Sequence, residues 1–222
     1  MMIGLTVTEF NEDYYTEHAE KGLDYLGHGY WQKEYAKMVA EGLTDGFVFD
    51  GGCACGSILK GFKDLGHKVL GMDLNNHMIN LGKKEFGFLD HELVAGSMAE
   101  TDLPDGSVDL LHTAQVLEHI PEEYIDAILN EFVRITKKGG RMFICLDAIK
   151  AGQTKEMYMG DPTHVNIQPT LYWTRKFQQR GLLFDTEAYN CYVNSAFKPT
   201  EGIQDNFYKS YPYWSVWTLI KE

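Results

Sequence analysis

Long apolar runs are missing from this 222-residue sequence. None approaches the roughly 18 residues that a helix needs to cross a bilayer, so no membrane span is expected. Residues 1–18 contain neither a basic region nor a long apolar segment, and no secretory leader is expected there. Cations are few: 20 lysines and arginines stand against 32 aspartates and glutamates, a net charge of -12. Nucleic-acid binding draws on cations set against phosphates, so this balance argues against a general DNA or RNA binder. Cysteine is scarce too. Cys53, Cys55, Cys145 and Cys191 form no C-x-x-C pair, which excludes a zinc ribbon and a thioredoxin-like site. Cys53 and Cys55 are too close along the chain for an ordinary disulfide, and free buried thiols in a reducing cytoplasm are expected. The eight histidines are scattered and no H-E-x-x-H occurs. Nothing in the spacing of His119, Cys145, Asp147, Asp161 and His164 demands an ion, so no metal site is assigned.

What is present suits one globular domain over residues 1–222: 44% of the chain is apolar and 23% charged. Residues 1–46 are rich in aromatics and read as a helical arm or lid. Within them Tyr35, Met38, Val39 and Leu43 predict a helix from about Gln32 to Gly42. From residue 47 strands and helices alternate. Strands are expected at Phe47–Asp50, Lys68–Asp73, His91–Ala95, Val108–Ala114 and Arg141–Leu146. Pro121, with Glu122 and Glu123 behind it, opens a helix whose apolar face is Ile125, Ile128, Leu129, Phe132 and Val133. Lys137 and Lys138 are placed in its last turn, and Gly139 and Gly140 end it. After residue 150 a helix near Pro169–Arg180 precedes two further strands, Leu182–Ala188 and Trp214–Ile220, with no helix expected between them. The fold class is therefore α/β: a doubly wound, mostly parallel seven-stranded sheet with an antiparallel carboxy-terminal edge. Residues 47–150 would form the cofactor-binding half and 151–222 the substrate-side half.

The chemistry concentrates first in Val48-Phe49-Asp50-Gly51-Gly52-Cys53-Ala54-Cys55-Gly56. A strand ends in an acid, then residues with little or no side chain let a ligand approach the backbone at a helix N-terminus. Two ligand classes use such a turn. A dinucleotide fold wants G-x-G-x-x-G, and that frame puts Cys53 where the middle glycine belongs. A nucleoside-methionine fold wants D-x-G-x-G-x-G, which Asp50, Gly52, Ala54 and Gly56 meet with one alanine for glycine.

Over about residues 45–185 the chain resembles the class I S-adenosylmethionine-dependent methyltransferases, in the small-molecule branch called type 11 or type 12. VFDGGCACG is similar to the first family motif and VLGMDLNNHMI to the second. LVAGSMAETDLPDGSVDLLHTAQVLEHI and ITKKGGRMFI resemble those that follow, in the same order. The resemblance implies a Rossmann-like methyltransferase fold and S-adenosyl-L-methionine as cofactor. Asp50 would accept from the methionyl ammonium, and Gly52, Ala54 and Gly56 would leave room for the amino-acid portion. Asp73, 23 positions after Asp50, would hold the ribose hydroxyls. Leu74 and Met98 would sandwich the adenine. Ser97 stands where many relatives carry an acid for the adenine amino group. Gln115 would line the sulfonium with backbone carbonyl, and Tyr14 would belong to an aromatic lid.

Methyl transfer needs an acceptor held in line and, for a protonated nucleophile, a base. In an open sheet those groups lie beyond the carboxyl ends of the strands. His164, in the segment Gly160-Asp161-Pro162-Thr163-His164-Val165, is one candidate; His119 and Asp147 are the others. The acceptor is expected to be a small or medium-sized molecule. Two other classes stay open: an NAD(P)-dependent oxidoreductase on a similar sheet, and a module that binds S-adenosylmethionine without turnover.

Overall fold

The computed structural model describes residues 31–43, 46–196 and 214–222. Seven strands are found there: β1 (Phe47–Gly51), β2 (Lys68–Asp73), β3 (Leu93–Ala95), β4 (Val108–Ala114), β5 (Thr136–Asp147), β6 (Leu182–Phe184) and β7 (Trp214–Lys221). They form one sheet in the order β3-β2-β1-β4-β5-β7-β6. The first five run parallel, and β7 is antiparallel to both β5 and β6. Six helices accompany them: α1 (Trp31–Val39), α2 (Ser57–Asp64), α3 (Asn76–Phe86), α4 (Glu122–Ile135), α5 (Thr170–Gln178) and α6 (Thr186–Ala196). The expected fold class is thus the one observed.

The sheet carries a core on each face, and strand alternation sorts side chains between them. Phe49, Leu111, Met142 and Ile144 pack with Ile125, Leu129 and Phe132 of α4 and Trp173 and Phe177 of α5. Their neighbours Val48, Leu110 and Phe143 face the other way, onto Tyr35 of α1, Leu59 and Phe62 of α2, Ile79 of α3 and Tyr192 of α6. Both faces of β1 and β4 are therefore covered, as their nearly continuous apolar sequence requires. Among the described residues no helix is long and apolar enough to cross a membrane. Cys53, Cys55 and Cys145 are buried and in no disulfide, and Cys191, likewise in none, is half-buried.

Several boundaries differ from the expected ones, β5 beginning already at Thr136 among them, and four are instructive. α1 stops at Val39, and β3 begins only at Leu93. α4 stops at Ile135, because Thr136 turns to extended backbone and its hydroxyl donates back to the Phe132 carbonyl at 2.7 Å. Lys137 therefore leaves the helix, pairing with Asp109 at 2.6 Å where β5 bulges against β4. The fourth difference is larger: the strand expected to reach Ala188 ends at Phe184, and a helix follows it. Asp185 explains this. Its carboxylate accepts from the Ala188 backbone N–H at 2.9 Å, an N-cap that turns the chain into α6. The antiparallel edge is there, but it is reached through a helix.

Glu131 of α4 locks the approach to β4. Its carboxylate accepts from the Thr101 backbone N–H at 2.7 Å, the Thr101 hydroxyl at 2.6 Å and the Arg134 guanidinium at 2.7 Å. Burial pushes this carboxyl up, but the Arg134 and Thr101 bonds outweigh it and hold the group below the usual glutamate range.

Candidate active site

β1 and β4 lie side by side although β2 and β3 intervene in sequence, so the connections from these two strands leave in opposite directions. The space beyond their carboxyl ends is the crevice position at which open α/β sheets bind ligands. Two non-glycine residues among those described have positive φ, and both stand here. Ala54 has φ 47° in the turn after β1, and Gln115 has φ 57° directly after β4. Such conformations cost about 1–3 kcal/mol each and persist where the surroundings impose them. Gln115 is held by its backbone N–H, which donates to the Cys145 carbonyl at 2.8 Å.

The glycine turn is gripped from several sides. Gly52 (φ 74°) has no room for a Cβ, which would lie 2.5 Å from Val116. At Gly56 (φ 77°) a Cβ would meet Phe88 at 2.9 Å. These two positions need glycine for conformation and packing before any ligand is considered. Gly82 of α3 approaches closest of all: a Cβ there would sit 2.0 Å from the Cys55 carbonyl oxygen. The helix thus rests directly on the backbone of the turn.

Asp73, at the end of β2, clamps the same turn. One carboxylate oxygen accepts from the Ala54 backbone N–H at 2.9 Å and the other from Asn75 at 2.8 Å. Burial pushes this carboxyl up, against those two bonds. Each oxygen keeps a second lone pair for an outside donor. Asp50 is buried and engaged differently. It faces His112 directly across the β1–β4 pairing, and the His112 Nδ1–H donates to it at 2.7 Å. In the neutral ring Nε2 then accepts from the Tyr35 hydroxyl of α1, at 3.0 Å. Phe143 stacks on the imidazole at 5.7 Å with ring planes 17° apart. Neither His112 nor Tyr35 was among the expected site residues; a lone histidine in an apolar strand was the signal.

The remaining expected cofactor residues are distributed around this rim. Leu74 is exposed just past β2, while Met98 is buried in the core with its sulfur beside Gly51. The Ser97 hydroxyl oxygen accepts from the Ala99 backbone N–H at 3.3 Å, and its proton is left for another acceptor. Tyr14 lies outside the described residues.

On the other side of the crevice the structure brings His119, His164 and Asp147 together. His119 closes a short 3₁₀ turn, Leu117–His119, just after β4. Asp147 ends β5, and His164 comes from the loop beyond it. The loop is bound to the turn by the Asn166 backbone N–H, which donates to the Glu118 carbonyl at 2.9 Å. The Asp161 carboxylate accepts from both the Thr163 N–H and the Thr163 hydroxyl, at 2.8 and 2.6 Å. Thr163 Oγ1 in turn meets His119 Nδ1 at 2.8 Å. His164 Nδ1 donates to the Tyr158 carbonyl at 2.8 Å and lies 3.9 Å from Asp147. The two imidazoles stand with centroids 4.8 Å apart.

Glu118, too, was not among the expected site residues. It is fully buried, and burial, reinforced by nearby Asp147, pushes its carboxyl up to about 8. One of its oxygens accepts from the Asp147 backbone N–H at 3.2 Å. The other, like one oxygen of Asp147, is buried with no hydrogen-bond partner. Burial raises the Asp147 carboxyl and the Cys145 thiol as well. Buried polar atoms are nearly always satisfied, so a cluster of exceptions at strand ends marks a place arranged for something besides stability. A separate concavity, lined by Asp109, Arg141 and Asp185, lies at the opposite ends of the strands. Its charged groups are paired with one another or with Lys137, and it lacks this convergence.

Comparison with known proteins points to one family. Residues 49–144 match the family model of a methyltransferase domain, type 11. The sterol 4-C-methyltransferase strm-1 of Caenorhabditis elegans is 29% identical over 105 residues, 46% of this chain and 30% of that relative. A malonyl-[acyl-carrier protein] O-methyltransferase of Serratia marcescens is 24% identical over 110 residues, 50% of this chain and 41% of that relative. The chain thus spans less than half the length of these curated relatives. Among solved structures, a TehB-like SAM-dependent methyltransferase from Corynebacterium glutamicum superposes with a TM-score of 0.65 at 19% identity, covering 96% of this chain and all (100%) of that one. The geranyl diphosphate C-methyltransferase of Streptomyces coelicolor, solved with Mg2+, geranyl diphosphate and S-adenosyl-L-homocysteine, gives a TM-score of 0.60 at 20% identity, covering 86% of this chain and 77% of that one.

Proposed function

We propose, since residues 49–144 form a class I S-adenosylmethionine-dependent methyltransferase domain of the type 11 branch, that this chain transfers a methyl group from S-adenosylmethionine to a small or medium-sized acceptor. The observation that carries the reading is the placing of Ala54 and Gln115, both in left-handed backbone, on the two lips of the β1–β4 crevice. Strain there has no need in a sheet that only has to fold.

The cofactor supplies a methyl carbon already activated by positive sulfur, and the protein has to hold, align and keep dry. In this reading Asp73 takes the ribose hydroxyls on the lone pairs its backbone bonds leave over. Asp50, fixed by His112, faces the methionyl ammonium directly or through water. Gly52, Ala54 and Gly56 present the turn's backbone, and Gln115 lines the sulfonium. Leu74, Met98 and Ser97 serve the adenine, with Tyr14 assigned to a lid from the sequence alone. His119, His164 and Asp147 face the acceptor. Exposed Met157, Met159 and Val165, in the same region after β5, offer that acceptor an apolar surface. The similar proteins named above are methyltransferases of a sterol, of malonyl-[acyl-carrier protein] and of geranyl diphosphate, which supports an organic acceptor; the net charge of -12 argues against a polyanionic one. The buried free thiols support a reducing, cytoplasmic setting.

Isothermal calorimetry should show one S-adenosylmethionine and, in competition, one S-adenosylhomocysteine bound per chain with a dissociation constant of about 1 μM, roughly -8 kcal/mol. No heat and no competition at millimolar cofactor would overturn the reading. A thermal shift with NAD(P) instead would favour the oxidoreductase, and binding without turnover on a broad acceptor panel would favour the non-catalytic module.

A further inference from the structure

We propose that Glu118, His119 and His164 form a binding site for one divalent first-row transition-metal ion at the carboxyl ends of β4 and β5. One potential ligand atom from each of the three lies within 4.8 Å of the others. Ligands held about 2.0–2.2 Å from an ion stand roughly 3–4.4 Å apart, so small side-chain adjustments would close the set.

The hydrogen bonds prepare both rings for this. His164 Nδ1 faces the Tyr158 carbonyl, which can only accept, so Nδ1 carries the proton and Nε2 the lone pair. For His119 the argument runs through Thr163. That hydroxyl gives its proton to Asp161, so its oxygen accepts from His119 Nδ1–H, and Nε2 is again the lone-pair atom. Metal-bound histidines are held in this way, the far nitrogen donating to a carbonyl or to a group backed by a carboxylate. Here one ring has the carbonyl and the other the carboxylate, relayed by a hydroxyl.

A second, independent observation points to a cation. Glu118 is fully buried and one of its oxygens has no hydrogen-bond partner, and the neighbouring Asp147 carboxylate likewise has one buried oxygen without a partner. A positive ion within the cluster would satisfy the first directly and draw on the second electrostatically. Two imidazoles and one carboxylate suit zinc, manganese, iron, cobalt or nickel; magnesium and calcium favour oxygen ligands throughout. Three protein ligands leave positions for water or for an oxygen of the acceptor, where the ion would lower the pKa of a hydroxyl. That last role rests on the methyl-transfer reading; the ion site does not.

The test is a Co2+ titration of the chelator-treated full chain, without cofactor or acceptor. The expected result is one equivalent bound at roughly micromolar free ion, with visible d–d absorption and two strongly shifted, solvent-exchangeable imidazole N–H signals in the proton spectrum. His164→Ala and Glu118→Gln should weaken uptake by more than tenfold, whereas His91→Ala, at an exposed position away from the cluster, should not. Substoichiometric uptake, fewer than two shifted N–H signals, uptake unaltered in both variants, or displacement by Mg2+ at equal concentration would each overturn the site. The signal count needs only the unaltered chain, so it decides the matter even if a variant fails to fold. Cofactor calorimetry is a separate measurement, so the two readings can fail independently.

Discussion

Gly82→Ala should lower the thermal midpoint and weaken cofactor binding together. On helix propensity alone the change should help, since alanine is favoured over glycine inside a helix by about 1 kcal/mol. Sterics decide the opposite sign. The new methyl would stand 2.0 Å from the Cys55 carbonyl oxygen, which is backbone and cannot swing aside. Either α3 lifts away from the sheet or the turn from Gly51 to Gly56 moves. Overpacking of this kind typically costs about 1–3 kcal/mol, and at this chain length each 1 kcal/mol is worth about 2–4 °C. The expected drop is therefore several degrees, with cofactor affinity reduced because the displaced element is the turn that receives it. Gly160→Ala is the matched control: nothing lies within 4 Å of a Cβ there, and its midpoint should be unchanged. A Gly82→Ala protein as stable as the parent, and binding as tightly, would mean that α3 does not bear on the turn.

Asp73→Ala should cost cofactor affinity by a factor of 10 to more than 100. A hydrogen bond to a charged group is worth roughly 1.5–3 kcal/mol, and the ribose bond alone gives that range. The structure adds a second loss. The same carboxylate holds the backbone N–H groups of Ala54 and Asn75, so the alanine variant also releases the strained turn and should melt earlier. Asp73→Asn divides the two effects. An amide retains one acceptor oxygen for one of the N–H groups, so the midpoint should recover in part while the affinity stays low. Calorimetry and a melting curve on each variant check this. Unchanged affinity in the alanine variant would place the ribose elsewhere and put the second motif out of register.

What the sequence revealed of this fold was whatever repeats locally. The apolar face of α4 and the strands β1, β2, β4 and β5 are written as periodic patterns, whereas the antiparallel edge was expected from an absence of further helix that α6 contradicts. The misread segments are those where one side chain overrides a pattern. Leu182 to Ala188 looks like a strand until Asp185 caps a helix at Thr186, and Lys137 looks like a helix end until Thr136 closes α4 early. The residues assigned to the cofactor could be picked out because they sit within a few positions of strand ends, at family-like spacing. Asp50 stood out as an acid at a strand end, yet its partner His112 is 62 positions away and becomes a neighbour only through strand register. The meeting of Glu118 and His119 with His164 depends on the fold of the loop after β5, which no periodicity encodes.

The Tyr35–His112–Asp50 chain has a consequence for motion. It links two inner strands on one core face, β4 and β1, to a helix that precedes the first strand, ending at the acid at the head of the glycine turn, and all three members are buried. A load applied to α1 is therefore felt at Asp50, and by reciprocity a ligand seated on Asp50 stiffens α1. Thermodynamic coupling of this kind is symmetric whatever its size. Amide exchange across residues 31–39 should accordingly slow when cofactor binds, and Tyr35→Phe should uncouple the two while leaving the ring in its place. Equal exchange in α1 with and without cofactor would show that the chain is a strut and transmits nothing.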